Sequence, residues 1–233
     1  MGRTGTADGG TDSGAENGAG GTYGGGTYGG RSARERREER RERFLAAGLA
    51  QFGDRPGYRR ASVAGLCEAA GLSTRQFYEE FRNLEEVLAR LHLAVNDQQE
   101  RAVLRALAGA AGLPFEQRIA AVLRGYVTAV VEDPRRLRIT FVEIVGVSEE
   151  LERQRLVRRA RWVDLLLAEA AAAAERGELA ARDFRIAATA FIGAVNGLLH
   201  DWIAGQFEAT SEQIVAELTS LLLGTVRTPG PHS

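Results

Sequence analysis

Residues 69–81 read AAGLSTRQFYEEF. Gly71 can take the left-handed conformation that ends a helix. Ser73, followed three residues later by Gln76, fits a capping box that opens the next one. Two short helices joined by such a turn make a helix-turn-helix. The first would start at Ser62, an N-cap, and set Val63, Leu66, Cys67 and Ala70 on one side. Cys67, four residues before Gly71, is small where the second helix must cross. In the second helix Phe77 and Phe81 lie one turn apart and face inward. Arg75, Glu79 and Arg82 then face outward, flanked by Gln76 and Tyr78. An outward Arg and Gln near a helix N-terminus suit bidentate contact with guanine and adenine. The same pattern also fits a helical hairpin with a solvated polar face.

The surrounding charge favours a polyanion only weakly. All 30 basic residues are arginine and the net charge is −1. Residues 31–92 hold thirteen arginines against ten acidic residues, giving +3, while residues 1–30 and 93–233 are each at −2. Within the basic third, Glu79 sits four residues from Arg75 and three from Arg82. It either orients those arginines or accepts a hydrogen bond from a cytosine amino group. Glu80 lies nearer the inward edge and is expected to face an arginine of the preceding long helix. The run RSARERREERRER, residues 31–43, carries +3. It reads either as a solvated extension of that helix or as an arm that follows the phosphate backbone or enters a minor groove.

The stretch GYRRASVAGLCEAAGLSTRQFYEEFRNLEEVL, residues 57–88, resembles the DNA-binding signature of the TetR family of bacterial one-component regulators. The resemblance rests on Gly57-Tyr58, Ser62, Ala70-Gly71-Leu72-Ser73, Phe77-Tyr78, Phe81 and Glu85-Glu86. It implies an all-α fold: a three-helix DNA-binding head, a helical regulatory body, and a two-fold dimer joined mainly by the last two long helices. Under it, Thr74, Arg75 and Gln76 meet base edges, Tyr78 meets phosphate, and Ser62 and Ala64 open the supporting helix, which also approaches the backbone. Glu79 and Arg82 complete the expected DNA-binding set. Leu84 and Glu80 depart from the family pattern, which often has Lys at the first place and Tyr or His at the second. Both departures remove favourable phosphate contacts.

Residues 1–30 hold thirteen of the 28 glycines and the tandem GTYGGGTYGG. So little apolar surface cannot offset the entropy of ordering, and a disordered tail is expected. The DNA-binding part is placed at 31–92, the regulatory and dimerising part at 93–224, and a flexible end at 225–233. Helices are expected over Leu84 to about Leu107, Pro114 to about Glu132, from Asp133 onward, from Ser148 to about Gly177, from Asp183 onward, and over Ser211 to Leu223. Polar residues inside apolar helices, Thr140, Glu143, Asn196 and His200, either line a ligand cavity with Tyr126, Phe141 and Trp162 as aromatic walls, or are satisfied by each other, by water or across a dimer while the aromatics pack the core. The small residues Ala190, Gly193, Ala194 and Gly197 would let a symmetry mate approach closely, covered by Leu198, Trp202, Leu218 and Leu222. GAVNGLLHDWIAG, residues 193–205, is similar to the family's late dimer-forming helix.

Three histidines, one cysteine, no closely spaced metal-ligand set and no phosphate-binding glycine loop argue against an enzyme, a metal centre or a cofactor. The lone Cys67 excludes an internal disulfide and suits a reducing cytoplasm. No apolar run reaches the length of a membrane span. The expected partners are double-stranded DNA, a second copy of the chain and an unidentified small-molecule effector. The rival expectation is a helical dimer that binds a small molecule or protein and has weak or lost DNA binding.

Overall fold

The computed structural model describes residues 32–227; residues 1–31, which include the glycine-rich segment expected to be a disordered tail, and residues 228–233 lie outside the described residues. Among the described residues all regular structure is helical. The order is α1 (Ala33–Gly53), a 3₁₀ turn (Tyr58–Arg60), α2 (Val63–Ala70), α3 (Thr74–Glu80), α4 (Leu84–Gly109), α5 (Phe115–Val131), α6 (Pro134–Arg138), a π-helical turn (Ile139–Glu143), α7 (Glu149–Glu175), α8 (Arg185–Ile203) and α9 (Ser211–Arg227).

Short polar side chains start these helices by accepting otherwise orphaned backbone N–H groups. Ser62 Oγ accepts from Gly65 N at 3.1 Å, Asn83 Oδ1 from Glu86 N at 2.9 Å and Ser148 Oγ from Leu151 N at 3.2 Å. At Ser73 both halves of the capping box form. Between α2 and α3, Gly71 has φ 61° and ψ 38°. Gly71 N donates to Glu68 O and Leu72 N to Cys67 O, the paired bonds of a Schellman close. Two expected boundaries shift. α9 continues through Gly224 to Arg227, and the helix opened by Asp133 and Pro134 passes after one turn into the wider π turn.

Two apolar cores result. The first joins α1 to α4 around Phe44, Phe52, Leu66, Phe77, Phe81 and Leu88. Phe44 meets Phe77 edge to face at 5.4 Å and Phe81 at 6.0 Å between centroids. Ile139, Ile144 and Leu151, from the π turn and the segment entering α7, close this core. The second core lies between the C-terminal half of α4, α5, α7, α8 and α9, with Leu123, Val127, Phe191, Val195, Leu199 and Leu218 at its centre. α4 runs through both. By length and composition α8 could cross a membrane, with a mean hydropathy of 1.3 over its best window. Its inner face, Ala188, Phe191, Ile192, Val195 and Leu199, packs into the second core.

Four arginines of the charged run 31–43 are tied into the fold. Glu80 is buried at the end of α3, and α1 surrounds its carboxylate with cations. Arg37 Nε donates to Oε2 at 2.9 Å, Arg40 Nη2 to Oε1 at 2.9 Å, and Arg41 Nε lies 3.0 Å from Oε2. Arg43 Nη2 donates to the carbonyls of Ala70 and Gly71 at the turn. Burial on its own would raise the Glu80 pKa; the hydrogen bonds and charge of Arg37 and Arg40 outweigh it and hold the carboxyl below its usual range.

Glu80→Gln keeps the shape and removes the charge that three arginines share. Because Arg37 and Arg41 stay partly in water, the loss falls at the low end for a broken buried pair, about 2 kcal/mol. Urea unfolding followed by circular dichroism measures it; an unchanged midpoint would show that the clasp carries no stability.

Candidate functional site

The outer face of α3 is the first candidate. It is held from behind by Phe77 and Phe81 and at its end by Glu80, so its exposed side is rigidly aimed. Thr74, Arg75, Tyr78, Glu79 and Arg82 are exposed there, the last just beyond the helix end. The Arg75 and Arg82 side chains are 90% and 88% accessible. Ser62 and Ala64 are exposed at the start of α2. Gln76 is half-buried, and its Oε1 accepts from Ser73 N at 2.9 Å and Ser73 Oγ at 3.1 Å, so its carbonyl serves the capping box rather than an adenine edge. Arg75 Nε donates to Glu79 Oε1 at 3.1 Å, the orienting pair. Arg82 does not join it; its Nε and its backbone N both donate to Glu86.

The second candidate is a cavity of about 230 Å³ between α4, the π turn, α7 and α8. Six of the seven residues expected to form a ligand site line it: Tyr126, Thr140, Phe141, Trp162, Asn196 and His200. Glu143 does not. It points to the opposite side of the π turn, where Oε2 accepts from Tyr58 N at 2.9 Å and Oε1 from Arg138. A Cβ on Gly57 would come within 2.6 Å of either Glu143 oxygen, and Gly57 has φ 87°, so this approach requires glycine.

The floor of the cavity comes from residues without an expected ligand role. His92, Asn96 and Gln99 lie on one face of α4 and are all buried. Asn96 Oδ1 accepts from Trp162 Nε1 at 3.2 Å, and Asn96 Nδ2 donates to the His92 carbonyl at 2.8 Å. Arg155, Arg158 and Arg159 of α7 line the same cavity. Spacings of four and three residues put 92, 96 and 99 on one side of α4, but the helix carries as many polar residues elsewhere, and it is burial that sets these three apart.

The small-residue stripe of α8 is placed as expected only in part. Ala190 and Gly197 are exposed and Gly193 and Ala194 partly so. Leu198 and Trp202 are partly buried against the chain's own second core, and Trp202 Nε1 donates to Ala209 O at 3.0 Å. Leu218 and Leu222 are buried in that core, because α9 turns this face onto α5. They are not available to a partner. The outer side of α9 instead shows Leu221.

Residues 112–226 match the family model described as tetracyclin repressor-like, C-terminal domain. The chain belongs to the TetR family. Solved structures share the fold. The fatty acid degradation regulator FadR from Bacillus halodurans is 20% identical, with a TM-score of 0.68 over 82% of this chain and 97% of that one. FadR from Bacillus subtilis, solved in complex with stearoyl-CoA, is 15% identical, with a TM-score of 0.67 over 80% and 99%. A putative TetR-family transcriptional regulator from Syntrophomonas wolfei is 15% identical, with a TM-score of 0.70 over 84% and 99%. No curated protein matches the sequence.

In this TetR-family chain the cavity floor is held neutral. Burial, with Arg158 and Arg155 nearby, lowers the His92 pKa to about 4. Gln154 Nε2 lies 2.9 Å from His92 Nδ1 and donates to it, which fits the uncharged ring. Burial likewise raises the Tyr126 pKa, so its hydroxyl stays neutral.

The unfolded chain protonates His92 near its ordinary value of about 6.5, whereas the folded chain resists until about 4. This stabilisation is complete above the higher value and is lost as pH falls toward the lower one. At pH 5 the loss is about 2 kcal/mol, from 1.36 kcal/mol per unit. Urea midpoints at pH 7.5 and 5 should show a gap that His92→Gln narrows by that amount; an equal gap in both proteins would refute the assignment.

Proposed function

We propose that this chain is a ligand-responsive transcriptional repressor of the cytoplasm that binds a near-palindromic operator as a homodimer. The observation that carries this reading is the geometry of α3, a short helix braced from behind whose free side offers Arg75, Thr74 and Tyr78 to a groove. Arg75, already oriented by Glu79, suits a guanine edge, while Tyr78 and Ser62 suit phosphate. In this reading residues 31–92 read DNA and residues 93–224 bind the effector and pair the subunits. Only 28% of the apolar window of α8 is buried in one chain, and its outer stripe suits a second copy. Two copies of α3 would then meet successive turns of one DNA face. Response to a small molecule is supported by the cavity and by the shared fold of a FadR solved with stearoyl-CoA.

The π turn links the two sites. Thr140 and Phe141 line the cavity, while Ile139 and Ile144 fill the first core and Glu143 holds the Tyr58 backbone. A ligand that prefers one setting of this turn would shift the head between settings and change its affinity for DNA.

A second reading, weak or lost DNA binding, draws on the charges. Arg37, Arg40 and Arg41 share Glu80, and Arg75 and Arg82 each pair with a glutamate. Sequencing the genomic fragments retained by the purified chain separates the two. The repressor reading expects a near-palindromic site whose binding weakens steeply with salt; retention of no duplex at low ionic strength would overturn it. On that site Arg75→Ala should lower affinity by roughly tenfold or more, concentrated at one base pair of each half-site. Glu79→Ala should lower it evenly across operator variants.

Glu143→Gln tests the link. Effector affinity should stay within about twofold while the ratio of operator affinities with and without effector shrinks, since coupling is typically about 1–3 kcal/mol. An unchanged ratio, read by fluorescence anisotropy, would remove Glu143 from the relay.

A further inference from the structure

The cavity does not end at its aromatic wall. Tyr126, Trp162 and Asn196 also wall a second chamber of about 90 Å³, whose other sides are aliphatic, Val103, Leu123 and Ile192 among them. Ile119, Leu166, Glu169 and Leu222 are shared in turn with a third chamber of about 40 Å³, which reaches Phe115 and Phe184. The three follow one another along α7. Arg155, Arg158 and Arg159 face the first, Trp162 stands at the junction, Leu166 and Glu169 border the second and third, and Ala170 lies in the third. From Arg159 to Ala170 the helix rises about 16 Å. Glu169, the charged group bordering the second and third chambers, is itself paired with Arg118 and Arg176.

The arginine-lined end is chemically unfinished. Gln99 is 2% exposed, lines the first chamber, and its Nε2 has no hydrogen-bond partner in the protein. A buried amide N–H left without an acceptor is costly, so the site is built for an acceptor that arrives from outside. Arg155 is matched by Glu152 and Arg158 by Asp97. Arg159 makes one long bond to the Thr189 carbonyl at 3.5 Å, and among the described residues no carboxylate pairs with it. The first chamber therefore combines an unmatched cation with an unused donor, and the next two offer hydrocarbon walls in a row.

We infer that the effector is an anionic amphiphile with one long hydrocarbon chain. The chain occupies the second and third chambers, and its acidic or carbonyl-bearing head sits at Gln99 Nε2 and the Arg159 guanidinium. This rests on the reading of the cavity as the effector site. A free fatty acid and an acyl thioester of coenzyme A present the same chemistry to these residues, an acceptor oxygen and negative charge at the end of an alkyl chain.

The test uses the full chain without DNA. The protein has two tryptophans, and Trp202→Phe leaves Trp162, at the junction of the chambers, as the reporter. It is titrated, below the micellar range, with palmitate, palmitoyl-coenzyme A, coenzyme A alone and the uncharged monopalmitoylglycerol; calorimetry on the unaltered chain repeats each titration. Palmitate, palmitoyl-coenzyme A or both should change Trp162 emission saturably at one equivalent per chain, at least tenfold more tightly than the uncharged lipid or coenzyme A alone. Arg159→Gln should weaken the acidic ligand about tenfold and leave the uncharged one unchanged. Gln99→Leu, with thermal melting confirming the fold, should also weaken the acidic ligand. Val195→Phe, which narrows the second chamber, should weaken both. The inference is overturned if neither acidic lipid binds, if the uncharged lipid or bare coenzyme A binds equally well, or if Arg159→Gln changes nothing. Operator binding is measured separately. An amphiphile that binds a chain with no DNA affinity would leave this inference standing and end the repressor reading; an operator found beside blank lipid titrations would do the reverse.

Discussion

A carboxylate withdrawn from water must find donors, and the partners Glu143 finds join the two halves of this chain. It takes the backbone N–H of Tyr58, in the loop between α1 and α2, and the guanidinium of Arg138 one turn before it. Gly57 gives up its side chain to let the carboxylate in. Beside this contact Ile139 and Ile144, neither of them measurably exposed, fill the core behind α3. The α1–α3 head is thus not a module merely tethered to the body. Its hydrophobic interior is completed by the same five-residue turn whose other side walls the cavity. π-helical turns cluster at functional places in proteins because they break the regular ladder and re-aim side chains, and here the re-aiming serves both faces.

Electrostatics shapes the head as much as packing does. An arginine-rich helix invites the idea of a phosphate-binding arm, yet the partners of several of its arginines lie within the chain. Arg37, Arg40 and Arg41 converge on Glu80, and Arg43 caps the carbonyls that end α2. Glu80, where the residue type departs from the family pattern, instead ties the end of α3 to α1. The outward arginines of the recognition region, Arg75 and Arg82, are each held by a glutamate four residues on, so their geometry is set before any groove is met.

Much of this was legible in the sequence, where the causes are local. Ser62, Ser73 and Asn83 cap helices because each stands just before a periodic apolar stripe. Gly71 closes α2 because only a left-handed residue fits there. The inward turn of Glu80 and the Arg75–Glu79 pair follow from helical spacing. What escaped depends on contacts between distant segments. Glu143 looks like a polar ligand-site residue until the chain brings it to a backbone N–H 85 positions away. Leu218 and Leu222 look like interface leucines until α9 is seen to lie on α5. The cavity floor was missed for another reason: His92, Asn96 and Gln99 read as ordinary polar residues of a long helix, and only burial distinguishes them from a solvated stripe.

The π turn also ties both faces to a residue count. A helix rotates about 100° per residue, so the faces presented before and after residues 139–143 depend on how many residues the turn holds. Losing one codon here would swing Ile144 away from the head and carry the carboxylate of Glu143 off its backbone donor, while α6 and all upstream helices kept their places. A change of length within these five positions would therefore break the register between the wall of the cavity and the core behind α3, even where every other residue of the chain stayed the same.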